Sequence, residues 1–195
     1  RRIINKKSTE DDIFNTVHMA ADKDIPNIRM YFIIGLPFEK DEDVSGIFET
    51  TKKIIEYSDE INYKFRNITI SINPFIPKPF TPFQWSPMED EITLHNKITF
   101  IKKELSDYKN VKVIWENPRW SAIQGLLSRG DRRMGDVLYE AYKYGGNLSA
   151  WRKAIKKLDM DIGFYLYRER SFDETLPWSH IDLNLNEEFL KNENE

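Results

Sequence analysis

The most apolar stretch of the chain predicts a buried strand that ends in a sharp turn. Residues 28–34 are apolar except for Arg29, and Gly35 and Pro37 follow at once. A nearly unbroken apolar run is typical of a strand covered on both faces, as in a parallel sheet between helices. Acidic residues at 39 and 41–43 then mark the start of a helix, where negative charge interacts favourably with the helix dipole. In parallel α/β folds, such a turn lies where ligands bind.

Two further strands and the helices between them follow from the same pattern. Ser8 and Asp11 resemble a helix cap ahead of the first apolar stripe, and a second stripe predicts a helix over residues 41–57. In residues 66–73, three isoleucines alternate with polar residues, which fits either a half-exposed strand or a barrel strand with a polar lumen. Residues 111–115 form a third short strand. This order favours a parallel barrel or an open parallel sheet.

A proline-rich segment follows the second strand. Residues 73–87 hold five of the nine prolines, interleaved with four large aromatic side chains. Prolines stiffen an extended loop and prevent strand pairing. The aromatic residues either pack this loop down or contact a ligand, and packing is the commoner role. The sequence Ser86-Pro-Met-Glu89 predicts the start of the next helix, with Ser86 as its cap.

The pattern changes after the third strand. Apolar spacing predicts short helices from residue 119 onwards, an irregular aromatic segment at 176–181, and an acidic end that frays over 184–195. We therefore expect an α/β fold with two parts. Residues 1–118 would form a partial (β/α) barrel with parallel strands, and residues 119–195 a mostly helical C-terminal portion.

Composition narrows the class of protein. The 195 residues suit one domain, or one domain and a tail. A net charge of -3 gives no bulk attraction to nucleic acid, although this does not exclude a local basic patch that binds it. The absence of a membrane span or signal peptide leads us to expect a cytoplasmic protein. The chain has no cysteine, which excludes disulfides and cysteine-ligated clusters within it, and no initiator methionine, which suggests a piece of a longer protein.

Few residues qualify for direct chemistry. Residues 128–133 gather Arg129, Arg132 and Arg133, and arginine forks suit phosphates and carboxylates. The alternative is a solvated loop with ion pairs to Asp131 and Asp136. The chain has no spacing typical of a metal site, no glycine-rich phosphate loop and no evident Ser–His–Asp set. We therefore assign neither catalytic residues nor metal ligands.

Taken in order, these segments resemble the second half of a radical S-adenosylmethionine protein. Residues 33–39, Ile-Ile-Gly-Leu-Pro-Phe-Glu, are similar to the turn at the fifth strand of that family's barrel. The proline-rich segment, residues 128–133, Tyr-Gly-Gly at 144–146 and Leu-Pro-Trp at 176–178 follow in the order found in members described as Fe–S oxidoreductases. Longer members often carry a cobalamin-binding-type domain. The resemblance covers essentially the whole chain.

The resemblance implies a role for two groups of residues. The side of the barrel next to the cofactor's adenine would be formed by Ile33, Gly35, Leu36, Pro37, Ser71 and Asn73. The substrate or a partner would be contacted by Phe75, Lys78, Phe83, Arg129, Arg132 and Arg133. The family's three-cysteine loop is absent, so S-adenosylmethionine and a [4Fe–4S] cluster are expected in the parent protein and not in this chain alone. We expect the chain alone to be inactive, and its motifs select no substrate and no reaction type.

Other functions fit the same residues. The chain could be a non-catalytic docking module that uses the proline-rich loop and the arginines to bind protein or RNA, or a cysteine-free α/β barrel of unrelated chemistry. If the chain is instead a piece of a radical S-adenosylmethionine protein, its expected partner is the rest of the parent barrel. A half barrel leaves an open sheet edge, so we also expect some self-association.

Overall fold

The computed structural model describes residues 9–194 and is a mixed α/β protein. Its packing divides the chain into two units, each made of several segments. Unit 1 contains residues 9–32, Glu39–Asn73 and Asn96–Trp115. Unit 2 contains Ile33–Phe38, Pro74–His95 and residues 116–194. Both units are discontinuous in sequence, and the predicted boundary at residue 118 stays a prediction.

A three-stranded parallel sheet organises residues 9–115. The strands lie in the order β1-β2-β3, which is also their order in the chain. In the β2–β3 ladder, Ile70 faces Val113 and Ser71 faces Ile114. The elements of this part are α1 (Glu10–Asp22), β1 (Asn27–Ile34), α2 (Asp41–Glu60), β2 (Asn67–Pro74), α3 (Glu91–Glu104) and β3 (Val111–Trp115).

The core of unit 1 lies against one face of β2. Ile68, Ile70 and Ile72 are fully buried, as their alternation with polar residues indicates. In α2, the buried Thr51 donates its hydroxyl hydrogen bond to the carbonyl of Ile47 at 2.8 Å, so a polar side chain is accommodated on the buried face.

The prediction that β1 is covered on both faces is wrong. Tyr31 is 64% exposed and Ile33 is 43% exposed, whereas Ile34 is buried. The alternate residues of the strand are more buried than these two, so one side of β1 packs inward and the other is open. The physical reason is that no packed layer of the described residues covers this face, so its apolar side chains stay in contact with solvent.

The first helix is capped one residue later than the sequence suggested. The Thr9 hydroxyl oxygen accepts a hydrogen bond from the Asp12 amide at 3.1 Å, and the Asp12 carboxylate accepts one from the Thr9 amide at 2.8 Å. Together these bonds form a capping box. The predicted cap at Ser8 lies outside the described residues.

The predicted start of α3 at Ser86 is also wrong. Ser86 closes a short 3₁₀ turn, Pro82–Trp85, by donating its amide hydrogen bond to the carbonyl of Phe83. The helix begins at Glu91, where the Asp90 carboxylate accepts hydrogen bonds from the amides of Ile92 at 2.8 Å and Thr93 at 3.0 Å. An aspartate that satisfies two otherwise unpaired helix amides is the stronger cap.

Five short helices follow β3 in unit 2. Asn117 caps the first of them, and Asn147 caps a later one through the amide of Ala150. The two glycines at 145 and 146 separate two helices and both have positive φ values, which favour glycine. The helices are α4 (Pro118–Arg129), α5 (Met134–Lys143), α6 (Leu148–Lys157), α7 (Ile162–Leu166) and α8 (Glu187–Asn194).

The prediction that the acidic end frays over residues 184–195 is wrong for Glu187–Asn194. Residues Glu187–Asn194 form α8, and Leu190 is buried with Trp85, Leu176 and Trp178. The apolar side chain of Leu190 thus attaches a mostly polar helix to the core of unit 2, a contact that composition alone does not reveal. Each helix within residues 9–194 is either too short or too polar to span a bilayer.

Candidate functional site

The turn after β1 is constrained to glycine at one position. Gly35 has a φ of +77°, and a Cβ placed there would lie 2.9 Å from both Glu89 Cβ and Leu94 Cδ2. Any larger residue would therefore be strained by its backbone and would also collide with two neighbours. The turn continues to Phe38, which is exposed and also has a positive φ of 63°.

The predicted cofactor residues fall into both units. Ile33 and the turn residues Gly35, Leu36 and Pro37 belong to unit 2, where Ile33 is exposed and Gly35 is buried. Ser71 and Asn73 lie on β2 in unit 1, where Ser71 is buried and Asn73 is half-buried. That these six residues bind a cofactor together stays a prediction.

The proline-rich loop is anchored in unit 2 by its 3₁₀ turn. The side-chain oxygen Oε1 of Gln84 accepts a hydrogen bond from Trp178 Nε1 at 2.7 Å and another from the Phe80 amide at 3.1 Å. Trp85 is buried beside Trp178, with the Phe172 ring packed edge-on at 5.0 Å. These aromatic side chains therefore hold the loop in place.

The predicted contact residues of the loop are half-buried or exposed. Phe75 and Phe83 pack edge to face, with ring centroids 5.1 Å apart. Lys78 is exposed, and its Nζ donates a hydrogen bond to Ser128 Oγ at 2.8 Å. Lys78 thus connects the loop to the end of α4, next to the predicted arginine group.

The three predicted arginines have different surroundings. Arg129 is only 1% exposed, and its Nη1 donates a hydrogen bond to the Ser86 carbonyl at 2.6 Å. Arg132 is exposed. Arg133 is exposed and forms an ion pair with Asp131 at 2.6 Å, as the solvated-loop alternative proposes. The sequence brings the three together, but only two of them reach the surface.

Asp131 is held in its charged form. Hydrogen bonds from Arg133, together with one from the Tyr165 hydroxyl at 3.1 Å, lower the pKa of Asp131 well below its usual range, although partial burial opposes this. Burial, with the hydrogen bond to Asp131, raises the pKa of Tyr165. This interaction fixes the loop between α4 and α5 against α7.

A second buried arginine was missed by sequence reasoning. Arg170 is 3% exposed, and its Nη2 donates hydrogen bonds to the carbonyls of Arg129 and Tyr165, each at 3.2 Å. Its guanidinium carbon lies 5.3 Å from the centre of the Trp178 ring. The only signal in the sequence is the Arg-Glu-Arg run at 168–170, which looks like an ordinary charged surface segment.

Arg129 is surrounded by more positive than negative charge. Desolvation, together with the positive charges of Arg170 and Arg168, lowers the pKa of Arg129 to about 10, and the charge of Glu174 opposes this shift. Glu174 forms its ion pair with Arg168, at 2.5 Å, and with neither buried arginine. The buried arginines therefore remain cations at neutral pH in a region with an excess of positive charge.

Unit 2 also contains a small cavity between α4, α6 and α7. Its volume is about 210 Å³, and its floor is apolar, with Ile123 and Leu126 among the lining residues. Arg119, Arg152 and Glu91 also line it, and Arg119 Nε lies 3.8 Å from Glu91 Oε2. Within residues 9–194, no group of three His, Cys, Asp or Glu side chains could hold a metal ion.

One relative of this chain is the uncharacterized protein MJ0966 of Methanocaldococcus jannaschii. The two are 32% identical over 183 residues, which are 94% of this chain and 37% of the relative. The chain thus spans well under half the length of that protein, whose name states no activity. No family model matches the chain, and no solved structure matches it significantly.

Proposed function

We propose that this chain is part of a radical S-adenosylmethionine Fe–S oxidoreductase and supplies the adenine and substrate side of its (β/α) barrel. The observation that carries the proposal is the order of the motifs, from the turn at 33–39 through the proline-rich loop to the arginines at 128–133. Three parallel strands that neighbour one another in chain order are compatible with one wall of such a barrel, as they are with an open sheet.

The turn after β1 has properties that suit a cofactor wall. Gly35 holds the turn in a conformation that favours glycine, and the exposed Ile33 beside it offers an apolar surface to a flat ring. The [4Fe–4S] cluster does not fit this chain, because there is no cysteine to bind it. When bound in the parent, cluster and cofactor supply radical hydrogen abstraction. The residues of this chain would orient the adenine and exclude water.

The length of the archaeal relative supports a longer parent. The matched region is 37% of that protein, so most of its length lies outside the region similar to this chain. In our proposal, the parent's additional segment provides the three-cysteine loop and the early strands of the barrel.

The test is anaerobic reconstitution of the full-length parent with iron and sulfide. We expect stoichiometric iron, visible absorption typical of a cluster, and loss of both when the upstream cysteines are replaced. A parent without a three-cysteine loop, or one that binds no iron after reconstitution, would contradict the proposal.

The alternative function is a docking module that binds protein or RNA without catalysis. Because Arg129 is buried, this surface would have to use Arg132 and Arg133 with Lys78. Salt-sensitive RNA binding that is lost in the Arg132→Ala/Arg133→Ala double variant would favour the alternative. RNA binding that is absent, or unchanged in that variant, would remove the RNA form of this alternative.

A further inference from the structure

The cavity between α4, α6 and α7 extends from the surface of unit 2 to its core. Leu126 lines its floor and is only 1% exposed, whereas Arg119 and Arg152 line it and are exposed to solvent. Its volume of about 210 Å³ is below the roughly 300–1,000 Å³ of sites for drug-sized ligands. The cavity therefore has room for a small molecule that enters from solvent.

The accessible part of the cavity wall is apolar. Leu148 and Ile155 of α6 and Ile162 of α7 line the cavity, and all three are half-buried, so part of each remains in contact with water. Covering this apolar surface with a ligand is favourable, by an amount that grows with the area removed from water. An apolar group is thus the preferred occupant of the space beside these three residues.

The charged residues of the cavity favour a single negative charge. Two cations, Arg119 and Arg152, and one anion, Glu91, line it, which gives a formal charge of +1. Arg119 Nε lies 3.8 Å from Glu91 Oε2, a loose contact between exposed groups that holds the arginine weakly. Arg152 has no ion-pair or hydrogen-bond partner within residues 9–194. Its guanidinium group is free to bind a carboxylate through two parallel N–H bonds.

We propose that this cavity binds a small carboxylic acid, with its apolar chain against Leu148, Ile155 and Ile162 and its carboxylate at Arg152 and Arg119. A carboxylate balances the formal charge of +1, whereas a phosphate monoester carries nearly two negative charges at neutral pH. None of the lining residues is among those that we assign to the radical cofactor or its substrate. The two proposals are therefore tested independently.

The experiment follows the amide NMR signals of the 195-residue chain at pH 7 during titration with hexanoate. Acetate keeps the carboxylate without the chain, and hexan-1-ol keeps the chain without the charge. Arg152→Met is the test variant, and because Arg152 is exposed, the variant should still fold. Lys153→Met is the matched control, since Lys153 is the next residue of α6, is also exposed and does not line the cavity.

We expect hexanoate to give saturable shifts of amide signals in α4, α6 and α7. Acetate and hexan-1-ol should each bind at least about tenfold more weakly, because each lacks one of the two recognised groups. Arg152→Met should weaken hexanoate binding at least about tenfold, as expected when hydrogen bonds to a charged group are lost. The same variant should bind hexan-1-ol like wild type, and Lys153→Met should bind hexanoate like wild type.

Three results would overturn the proposal. The first is a hexanoate titration without saturable shifts in these helices. The second is an equal loss of affinity in Arg152→Met and Lys153→Met, which would indicate general attraction to positive charge in place of a defined site. The third is hexan-1-ol binding as tight as that of hexanoate, because the cavity would then recognise the chain and not the carboxylate.

Discussion

Gly35 and Arg129 show how much a single position can be constrained by residues distant in sequence. Gly35 is confined by Glu89 and Leu94, and Arg129 is oriented by Ser86. From sequence, the glycine could be recognised because Gly-Leu-Pro turns have a local signature. The burial of Arg129 could not, because its partners lie more than 40 residues away and nothing local marks them.

Replacing Gly35 by alanine should lower the free energy of unfolding by about 2 kcal/mol, because the new Cβ adds both strain and a collision. Gly46→Ala is the matched control, since its Cβ would meet open space within α2 and alanine is the better helix former by up to about 1 kcal/mol. Urea denaturation measures both. Equal stability of the two variants would contradict the described turn.

Asp131 should make stability depend on pH. Because its pKa in the folded protein is lowered, its contribution is fully present above its unfolded pKa of about 3.9 and is lost as pH falls below that value. We expect Asp131→Asn to cost about 1 kcal/mol at pH 7, a modest value because Arg133 is largely exposed to screening solvent.

The difference in the free energy of unfolding between wild type and Asp131→Asn should shrink as the pH is lowered below 4. Denaturant titration at each pH measures this difference. The exposed Asp107→Asn serves as the control for removing a carboxylate. If the difference in the free energy of unfolding between wild type and Asp131→Asn stays constant from pH 7 to acid pH, the ion pair contributes nothing to stability.

At the level of elements, periodicity predicted strands and helices better than it predicted their ends. Strand β3 was predicted over the residues it occupies, Val111–Trp115. The cap of α3 was misplaced because Ser86-Pro87 has the signature of a helix start, yet those residues complete the proline-rich loop. The exposure of β1 was missed because an apolar run does not reveal whether both faces find partners.

The cap of α3 can be tested directly. Asp90→Ala should reduce the free energy of unfolding by about 1 kcal/mol, because two helix amides lose their acceptor. Asp90→Asn should cost much less, since asparagine caps nearly as well. Chemical denaturation followed by circular dichroism compares the two. An alanine variant as stable as the asparagine variant would place the start of the helix elsewhere.

At the scale of the whole molecule, the described sheet has an open strand at one end. Tyr31 lies on the exposed face of β1, and apolar edge strands invite pairing with other chains. The sequence could predict three parallel strands and their helices. It could not predict whether further strands continue the sheet, because the hydrophobic pattern of a strand does not reveal which strands lie beside it.

We therefore expect the chain to self-associate. Light scattering should give an average mass that rises with protein concentration, and Tyr31→Lys should reduce the rise because a charge discourages edge pairing. Tyr142→Lys, which replaces a tyrosine that is 76% exposed on α5, is the control. A wild-type chain that stays monomeric at all concentrations would contradict the prediction.

The affinity of the reconstituted parent for S-adenosylmethionine tests the central claim most directly. Ile33→Lys places a charge where we propose that the adenine lies, on a side chain that is 43% exposed, so this unit should still fold. Ile92→Lys, at a position that is 74% exposed on α3, is the matched control. We predict at least about tenfold weaker binding for Ile33→Lys, roughly the loss of one good apolar contact, with iron content and the control unchanged. Unchanged affinity in Ile33→Lys would show that this turn does not line the cofactor.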